Sequence, residues 1–473
     1  MLKYFTVVLL LLSLSDASTL YQDDQGKFFV IDDKHIICSK QKTISQEPIS
    51  NDLKELKKEI KDLRVMLKSL KKCQGLPTES QADTKEEKKN FFTLKGDLRT
   101  GYIYLKEDGS LSTRSKATGG NIGFTTKEII PGVTADVSFY TIEGLGTNNT
   151  NDDFNIRAGD TTQSFGFIGE SKITATFGDH RFRFGRQELD MPHDDSDHIR
   201  MLPNLFEAYR YGYKDFFHMG HIKTMAGWEN NGIQTEFVNV HQVFEISDEN
   251  NNSINKGISV IHFGDTIFNE SFEYAVFNYM MHDALNLTYL EANYYAQLSE
   301  NVKLTLAGQY DSYRSTDPFI MSNIAYSSFD SDVAGYKAAL EISTVTVTLA
   351  TNKASGTNAP VRSLGGGPYF TSMEDSTLDG IGTNDAVSNM LSIEYDATSI
   401  TPGLNLAYFY GTFASDDKRI NHAEQNFALE YEKEDTFTIT MAYTLVSNED
   451  SAITAGALDF TLFRAFLDIP LSN

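Results

Sequence analysis

Two periodicities divide the chain. Between residues 51 and 72 the apolar positions Leu53, Leu56, Ile60, Leu63, Leu67 and Leu70 recur in alternating steps of three and four. That spacing lines one face of a helix and forms the a/d seam of a coiled coil. Asn51 or Asp52 caps its start, Gly75-Leu76-Pro77 stops it, and charged residues such as Lys54, Glu55, Lys57 and Glu59 fill the outer positions. Three heptads are marginal alone, so these six residues are read as an oligomerisation seam. An amphipathic helix lying on its own domain is the alternative.

From Phe91 onward the period becomes two. Leu98, Thr100, Tyr102 and Tyr104 alternate with Arg99 and its neighbours, Ile173 and Ala175 with Lys172 and Thr174, and Val302, Leu304 and Leu306 with Lys303 and Thr305. Val345–Leu349 and Phe437–Tyr443 repeat the pattern against threonines. Each segment is a strand with one apolar and one polar face, and the remainder is therefore all-β. A soluble sandwich also alternates, but two features favour a transmembrane antiparallel barrel. Tight turns at Gly178-Asp179, Ser299-Glu300-Asn301 and Lys433-Glu434-Asp435 alternate with long polar loops such as 187–205, 229–256 and 352–390. Tyrosines also gather near strand ends, at Tyr102/Tyr104, Tyr209/Tyr211/Tyr213, Tyr294/Tyr295, Tyr310/Tyr313 and Tyr408/Tyr410. Short turns on one side, long loops on the other and aromatic girdles between them are outer-membrane barrel features. Nine loops and eight turns predict about eighteen strands, with sixteen the alternative, enough to enclose water.

The third long loop folds inward in many large barrels, and here it carries FGRQELDMPHDDSDHIRMLPNLF from Phe184 to Phe206. The strand before it bears Arg181 and Arg183 on one face. The loop bears Asp190, Asp194, Asp195 and Asp197, bracketed by Arg186 and Arg200. A basic wall facing an acidic loop selects solutes by charge; a solvated loop that neutralises itself is the alternative.

These residues also resemble the OprD-type outer-membrane porins of Gram-negative bacteria. The likeness rests on GRQELDMPHDDSDHIRMLPNLFEAY at 185–209 and ATGGNIGFTT at 117–126, with weaker support from MMHDALNLTYLEANY at 280–294 and GGPYFTSMEDSTLDG at 366–380. It covers about 91–473. It implies eighteen strands, an inward third loop and a ladder of basic side chains that guides anionic groups. The ladder maps onto Arg181, Arg183 and Arg186, with Lys172, Lys303 and Arg99 as further wall positions. Two features depart from the family pattern. The chain ends Ile469-Pro470-Leu471-Ser472-Asn473 instead of on an aromatic residue, so the last strand is expected to stop at Phe466 or Leu467. The heptads are also an addition to the barrel.

The N-terminus reads as a signal peptide, 1–17, with Lys3, an apolar run over 6–14 and Ser15-Asp16-Ala17. A periplasmic segment, 18–90, follows, with the coiled coil at 51–72 and a polar linker at 74–90. The barrel takes 91–473. Cys38 and Cys73 flank the helix and suit a disulfide in an oxidising compartment; interchain pairing and free thiols stay open.

Charge narrows the function further. Lys+Arg number 41 against 65 Asp+Glu, a net −24, which argues against a nucleic-acid binder. His193, Asp194, Asp195, Asp197 and His198 lack the spacing of a metal site, and no nucleophile elbow or phosphate loop appears. No cofactor, metal or catalytic residue is assigned. The reading is a porin in outer-membrane lipid, passing ions, small carboxylates or amino acids, and assembled as a homo-oligomer, a trimer in the first instance. A structural or adhesive barrel tethered through its coiled coil is one rival; an outer-membrane hydrolase is the other.

Overall fold

The computed structural model describes residues 91–471 except 109–111, 146–164, 231–233, 269, 416–420 and 449–458, together with three short strands near the N-terminus. The chain divides into two units, Met1–Lys88 and Lys89–Asn473. In the first, Thr19–Gln22, Phe28–Asp32 and His35–Ile36 form an antiparallel sheet. The expected signal peptide, coiled coil, linker and both cysteines lie outside the described residues.

The second unit is a closed antiparallel barrel of eighteen strands. In chain order these are β1 Phe92–Glu107, β2 Thr113–Thr126, β3 Val133–Gly144, β4 Phe165–Phe177, β5 His180–Gln187 and β6 Leu205–Tyr213. Next come β7 Phe217–Ala226, β8 Ile258–Ile267, β9 Phe272–Met281, β10 Leu285–Ser299, β11 Val302–Ser315 and β12 Asp330–Ile342. The last six are β13 Val345–Gly356, β14 Ala386–Asp396, β15 Leu404–Ser415, β16 Asn421–Lys433, β17 Phe437–Asn448 and β18 Phe460–Pro470. Each pairs with its sequence neighbour, and β18 closes on β1 through pairs such as Phe463↔Tyr104 and Phe466↔Gly101. No open edge remains, as hydrocarbon requires. The last strand does not stop at Phe466 or Leu467. It runs on to Pro470, opposite Asp97, and proline is tolerated there because it ends the ladder.

The period of two assigns every side chain a face. Leu98, Phe139, Phe184, Leu306, Leu349 and Phe427 point outward and are exposed. On β11, Leu306, Tyr310 and Arg314 point outward, while Ala307, Gln309, Asp311 and Tyr313 point inward and are buried. Inward burial at that end arises because long loops pack inside the barrel. The same parity revises the tyrosine girdle. Tyr294 and Tyr310 face outward, but Tyr295 and Tyr313 lie an odd number of residues away and turn to the lumen. Tyr140, Tyr279, Tyr289, Tyr313 and Tyr369 are all buried within.

Candidate channel constriction

The segment 188–204 joins β5 to β6 and folds into the lumen. Near the end of β5 stands Gly185, whose φ is +116° and where a Cβ would lie 2.1 Å from the Ser171 carbonyl oxygen, so no side chain fits. Leu189, Met201 and Leu202 are buried. Backbone bonds from Ser196 N to Leu189 O (2.9 Å) and from Asn204 N to Ser196 O (2.7 Å) close the loop on itself.

Opposed anchors hold this loop to the wall. On β1, the Arg99 guanidinium donates to the carbonyls of His198 (3.0 Å) and Arg200 (2.7 Å) and pairs with Asp468 of β18 at 2.8 Å. On β11, Asp311 Oδ1 lies 2.8 Å from His193 Nε2. The rings of Tyr279, Tyr289, Tyr313 and Tyr369 stand edge-on around that imidazole, 5.5–6.4 Å away. The protein's single tryptophan also serves the loop: Trp228 Nε1 donates to the Asp197 carbonyl (3.0 Å), and the Arg200 guanidinium lies 5.6 Å from its ring centre.

A second loop, 357–385 between β13 and β14, also turns inward. Gln309, Asn352, Ser388, Glu424 and Arg464, all inward residues of β11, β13, β14, β16 and β18, bind it. Glu424 accepts from Asp375 N (3.1 Å) and Ser376 N (2.7 Å), and Arg464 pairs with Glu374. The two loops meet at Leu364, whose N donates to His193 O (2.8 Å) and whose O accepts from Asp195 N (3.0 Å). The alternation of apolar and polar positions holds no sign of this second plug segment.

Most of the predicted acids are consumed at this junction. Asp194 is 2% exposed, and burial lifts its carboxyl to about 7. Burial also raises Asp195, whose Oδ1 accepts from Asp197 N (2.9 Å). Asp197 Oδ2 accepts from Gly366 N (3.3 Å). Asp190 alone of the four is exposed, and it shares a cavity of about 160 Å³ with Arg210, His218 and His262. His198 Nε2 stands 3.5 Å from Glu188 Oε2. That hydrogen bond raises the imidazole. For Glu188, burial alone would push the carboxyl up, but His198, the Tyr140 hydroxyl and Lys172 together outweigh it and leave the group lowered.

The bases separate into two groups. Lys95 pairs with Asp136 (3.3 Å) and Glu170 (3.5 Å), and Lys172 with Glu170 (2.6 Å). Lys303 faces the lumen with its ammonium 4.9 Å from the Tyr295 ring centre. Arg181, Arg183 and Arg210 instead line the turn-side half of the lumen with no carboxylate in ion-pair range among the described residues. Arg183 is the register partner of Arg210, and Arg181 and Arg210 share a cavity of about 340 Å³ with His218. Arg186 is not on their face. It has the outward parity of Phe182 and Phe184, lies 4.2 Å from the Phe237 ring centre and donates to Ile168 O (3.3 Å). Arg210 is absent from the ladder expected on sequence, although Tyr209 and Tyr211 on the lipid side already place it inward. Across the lumen a cavity of about 590 Å³ is lined by Glu341, Glu374, Glu394 and Glu430 with Arg99 and Arg464. Among the described residues no three His, Cys, Asp or Glu side chains stand together as a metal site would require.

Comparisons with known proteins define the fold class. No family model matches the chain, and no curated protein matches it. Solved structures do. OpdK with vanillate, from Pseudomonas aeruginosa, superposes with a TM-score of 0.66 at 14% identity, over 81% of this chain and 99% of that one. OccAB4 of Acinetobacter baumannii gives 0.64 at 15% identity, over 82% and 100%. A BenF-like porin from Pseudomonas fluorescens Pf-5 gives 0.67 at 12%, over 81% and 100%. The chain has the fold of the OprD-type porins that its loop sequence resembles.

Proposed function

We propose that this chain is an outer-membrane porin whose water-filled channel passes small solutes along Arg181, Arg183 and Arg210. The observation that carries this reading is the contrast between those three guanidiniums and the paired bases Lys95, Lys172, Arg99 and Arg464. Three guanidiniums clustered on one wall, without a carboxylate in ion-pair range among the described residues, set a local positive potential and favour a carboxylate or another small anion. Small carboxylates therefore head the range of solutes, a class that suits the vanillate held by the similar OpdK. Amino acids follow, because the glutamates across the lumen suit an ammonium group.

Reconstitution in planar bilayers tests both levels. The protein should conduct, and R181Q/R183Q/R210Q should move its reversal potential toward cations. Unchanged selectivity would remove these residues from the site; no conductance in the wild type would remove the channel and leave the structural barrel. Absence of lipid or peptide turnover by a conducting protein would dispose of the hydrolase. Both barrel termini lie at the turn end, so the N-terminal segment belongs in the periplasm, where its heptads join protomers. Deleting 51–72 should then lower the oligomer on native gels, and an unchanged band would refute the assignment.

A further inference from the structure

The outward face of the barrel carries a basic cluster that the channel does not use. Lys106 ends β1; Arg114 and Lys116 begin β2. All three are exposed and share the outward parity of Leu98, Tyr102 and Tyr104. The register sets Arg114 opposite Tyr104 and Lys116 opposite Tyr102, while Lys106 lies two residues beyond Tyr104. Neighbours on one face in such a ladder stand about 5–8 Å apart, so the three bases form one patch.

No carboxylate lies in ion-pair range of any of them among the described residues. The outward acid of the next strand, Glu143, pairs in register with Thr118 and with neither Arg114 nor Lys116. Asp108 and Asp459 pair one rung beyond Lys106 on the same face but outside ion-pair range, so the three bases repel one another unless an anion covers them. Beneath them lie rings: the Arg114 guanidinium is 5.5 Å from the Tyr104 ring centre, and Tyr102 packs on Phe463 at 6.1 Å. Aromatic residues at this height mark the boundary between acyl chains and headgroups. The bases thus stand at the level of headgroups, on the lipid side, at the loop end.

We infer that Lys106, Arg114 and Lys116 form a binding site for the phosphates of the outer-leaflet glycolipid, the phosphorylated diglucosamine headgroup of lipid A. The inference rests on the reading that the barrel sits in an outer membrane with its loops outward. The guanidinium supplies paired donors to one phosphate, the ammonium groups supply point charges, and the tyrosine and phenylalanine rings receive the first acyl carbons. The site would fix a lipid on the seam where β18 closes on β1, sealing the join between the two ends of the barrel.

The test uses the full-length protein in detergent, with native mass spectrometry counting bound lipid A. Wild type should retain bis-phosphorylated lipid A and should bind the dephosphorylated lipid, with identical acyl chains, on the order of a hundredfold more weakly, as three headgroup-level charges imply. K106Q/R114Q/K116Q should lose the same preference while conducting as wild type does. Equal retention of both lipids by wild type, or an unchanged preference in the folded triple variant, overturns the site. If the triple variant does not fold, the wild-type comparison still decides. Competition by inorganic phosphate alone would show a phosphate site without lipid specificity and would also overturn the assignment. Conductance is measured separately, so failure of the channel and failure of the lipid site remain distinct.

Discussion

His193 Nε2 lies 2.8 Å from Asp311 Oδ1, joining residues 118 apart in the chain. Both side chains are almost wholly buried, at 5% and 0% exposure. The contact ties the inward loop between β5 and β6 to the wall at β11, while Arg99 ties the same loop to β1 and β18. A loop held at both ends keeps one shape, and the residual openings beside it are defined by the wall residues that it leaves uncovered. Rigidity of this kind is what a passage selective by size requires.

Removing the anchor should therefore enlarge the passage. Asp311→Ala leaves a buried imidazole without its partner, and leaving a buried hydrogen-bonding group unsatisfied costs about 1–3 kcal/mol. Asp311→Asn keeps an acceptor and should cost less. Single-channel recording should show higher and noisier conductance for the alanine variant, with asparagine between it and wild type. Equal conductance in all three proteins would mean that the loop holds without this contact.

Acidity should tighten the same loop. Burial raises Asp194 from the ordinary carboxylate value to about 7, so the folded loop prefers the neutral acid. For an acid shifted upward, the penalty is absent below the unfolded value. It grows as pH rises toward the folded value and stays constant above it. A rise from 3.8 to about 7 corresponds to a cost of up to about 4 kcal/mol above neutrality. Amide exchange over 188–204 should thus be slower at pH 5 than at pH 8, after correction for intrinsic rates. Asp194→Asn should flatten that difference. A pH dependence that survives the substitution would place its origin elsewhere, the His198–Glu188 contact being the next group to examine.

Strand number, turn positions and the inward third loop were legible because a strand fixes its faces with a period of two and marks its ends with turn residues. Gly178-Asp179 and Lys433-Glu434-Asp435 needed no tertiary information. The faces of single residues were legible too wherever parity was followed. It separates Tyr310 from Tyr313 and puts Arg210 with Arg183, whereas grouping residues by type placed Tyr313 in the girdle and Arg186 in the ladder. What the sequence did not disclose is long-range pairing. Nothing local marks Asp311 as the partner of His193, or tells that Asp194 is sealed inside a junction rather than facing solutes. The inward course of 357–385 depends on Gln309, Asn352 and Glu424, inward polar residues that look like ordinary channel lining until a loop lands on them.

The junction of the two loops depends on one residue without a side chain. Gly365 has φ +83°, and a Cβ there would lie 2.3 Å from the Asp195 carbonyl oxygen and 2.5 Å from Asn204 Nδ2. Both the conformation and the space exclude alanine, a strain on the order of 1–3 kcal/mol. Gly365→Ala should separate Leu364 from His193 and Asp195 and speed exchange of the Leu364 and Asp195 amides, leaving barrel strands protected. Unchanged protection at those two amides would show that the junction accommodates the methyl group.

Glu424 gives the corresponding test for the second loop. Its carboxylate is fully buried on β16 and accepts the amides of Asp375 and Ser376, at 3.1 and 2.7 Å. Hydrogen bonds to a charged group contribute about 1.5–3 kcal/mol, and replacing the acceptor by an apolar side chain also strands the buried Ser376 N–H. Glu424→Leu should therefore release the middle of 357–385 from the wall, whereas Glu424→Gln keeps one carbonyl acceptor and should hold most of it. Limited proteolysis reads the difference directly: cleavage within 357–385 should be fast in the leucine variant and slow in glutamine and wild type. The released loop would also uncover Arg464, so the leucine variant should gain anion preference in reversal-potential measurements. Cleavage at the wild-type rate, with unchanged selectivity, would mean that Gln309 and Asn352 on the neighbouring strands hold the loop without Glu424.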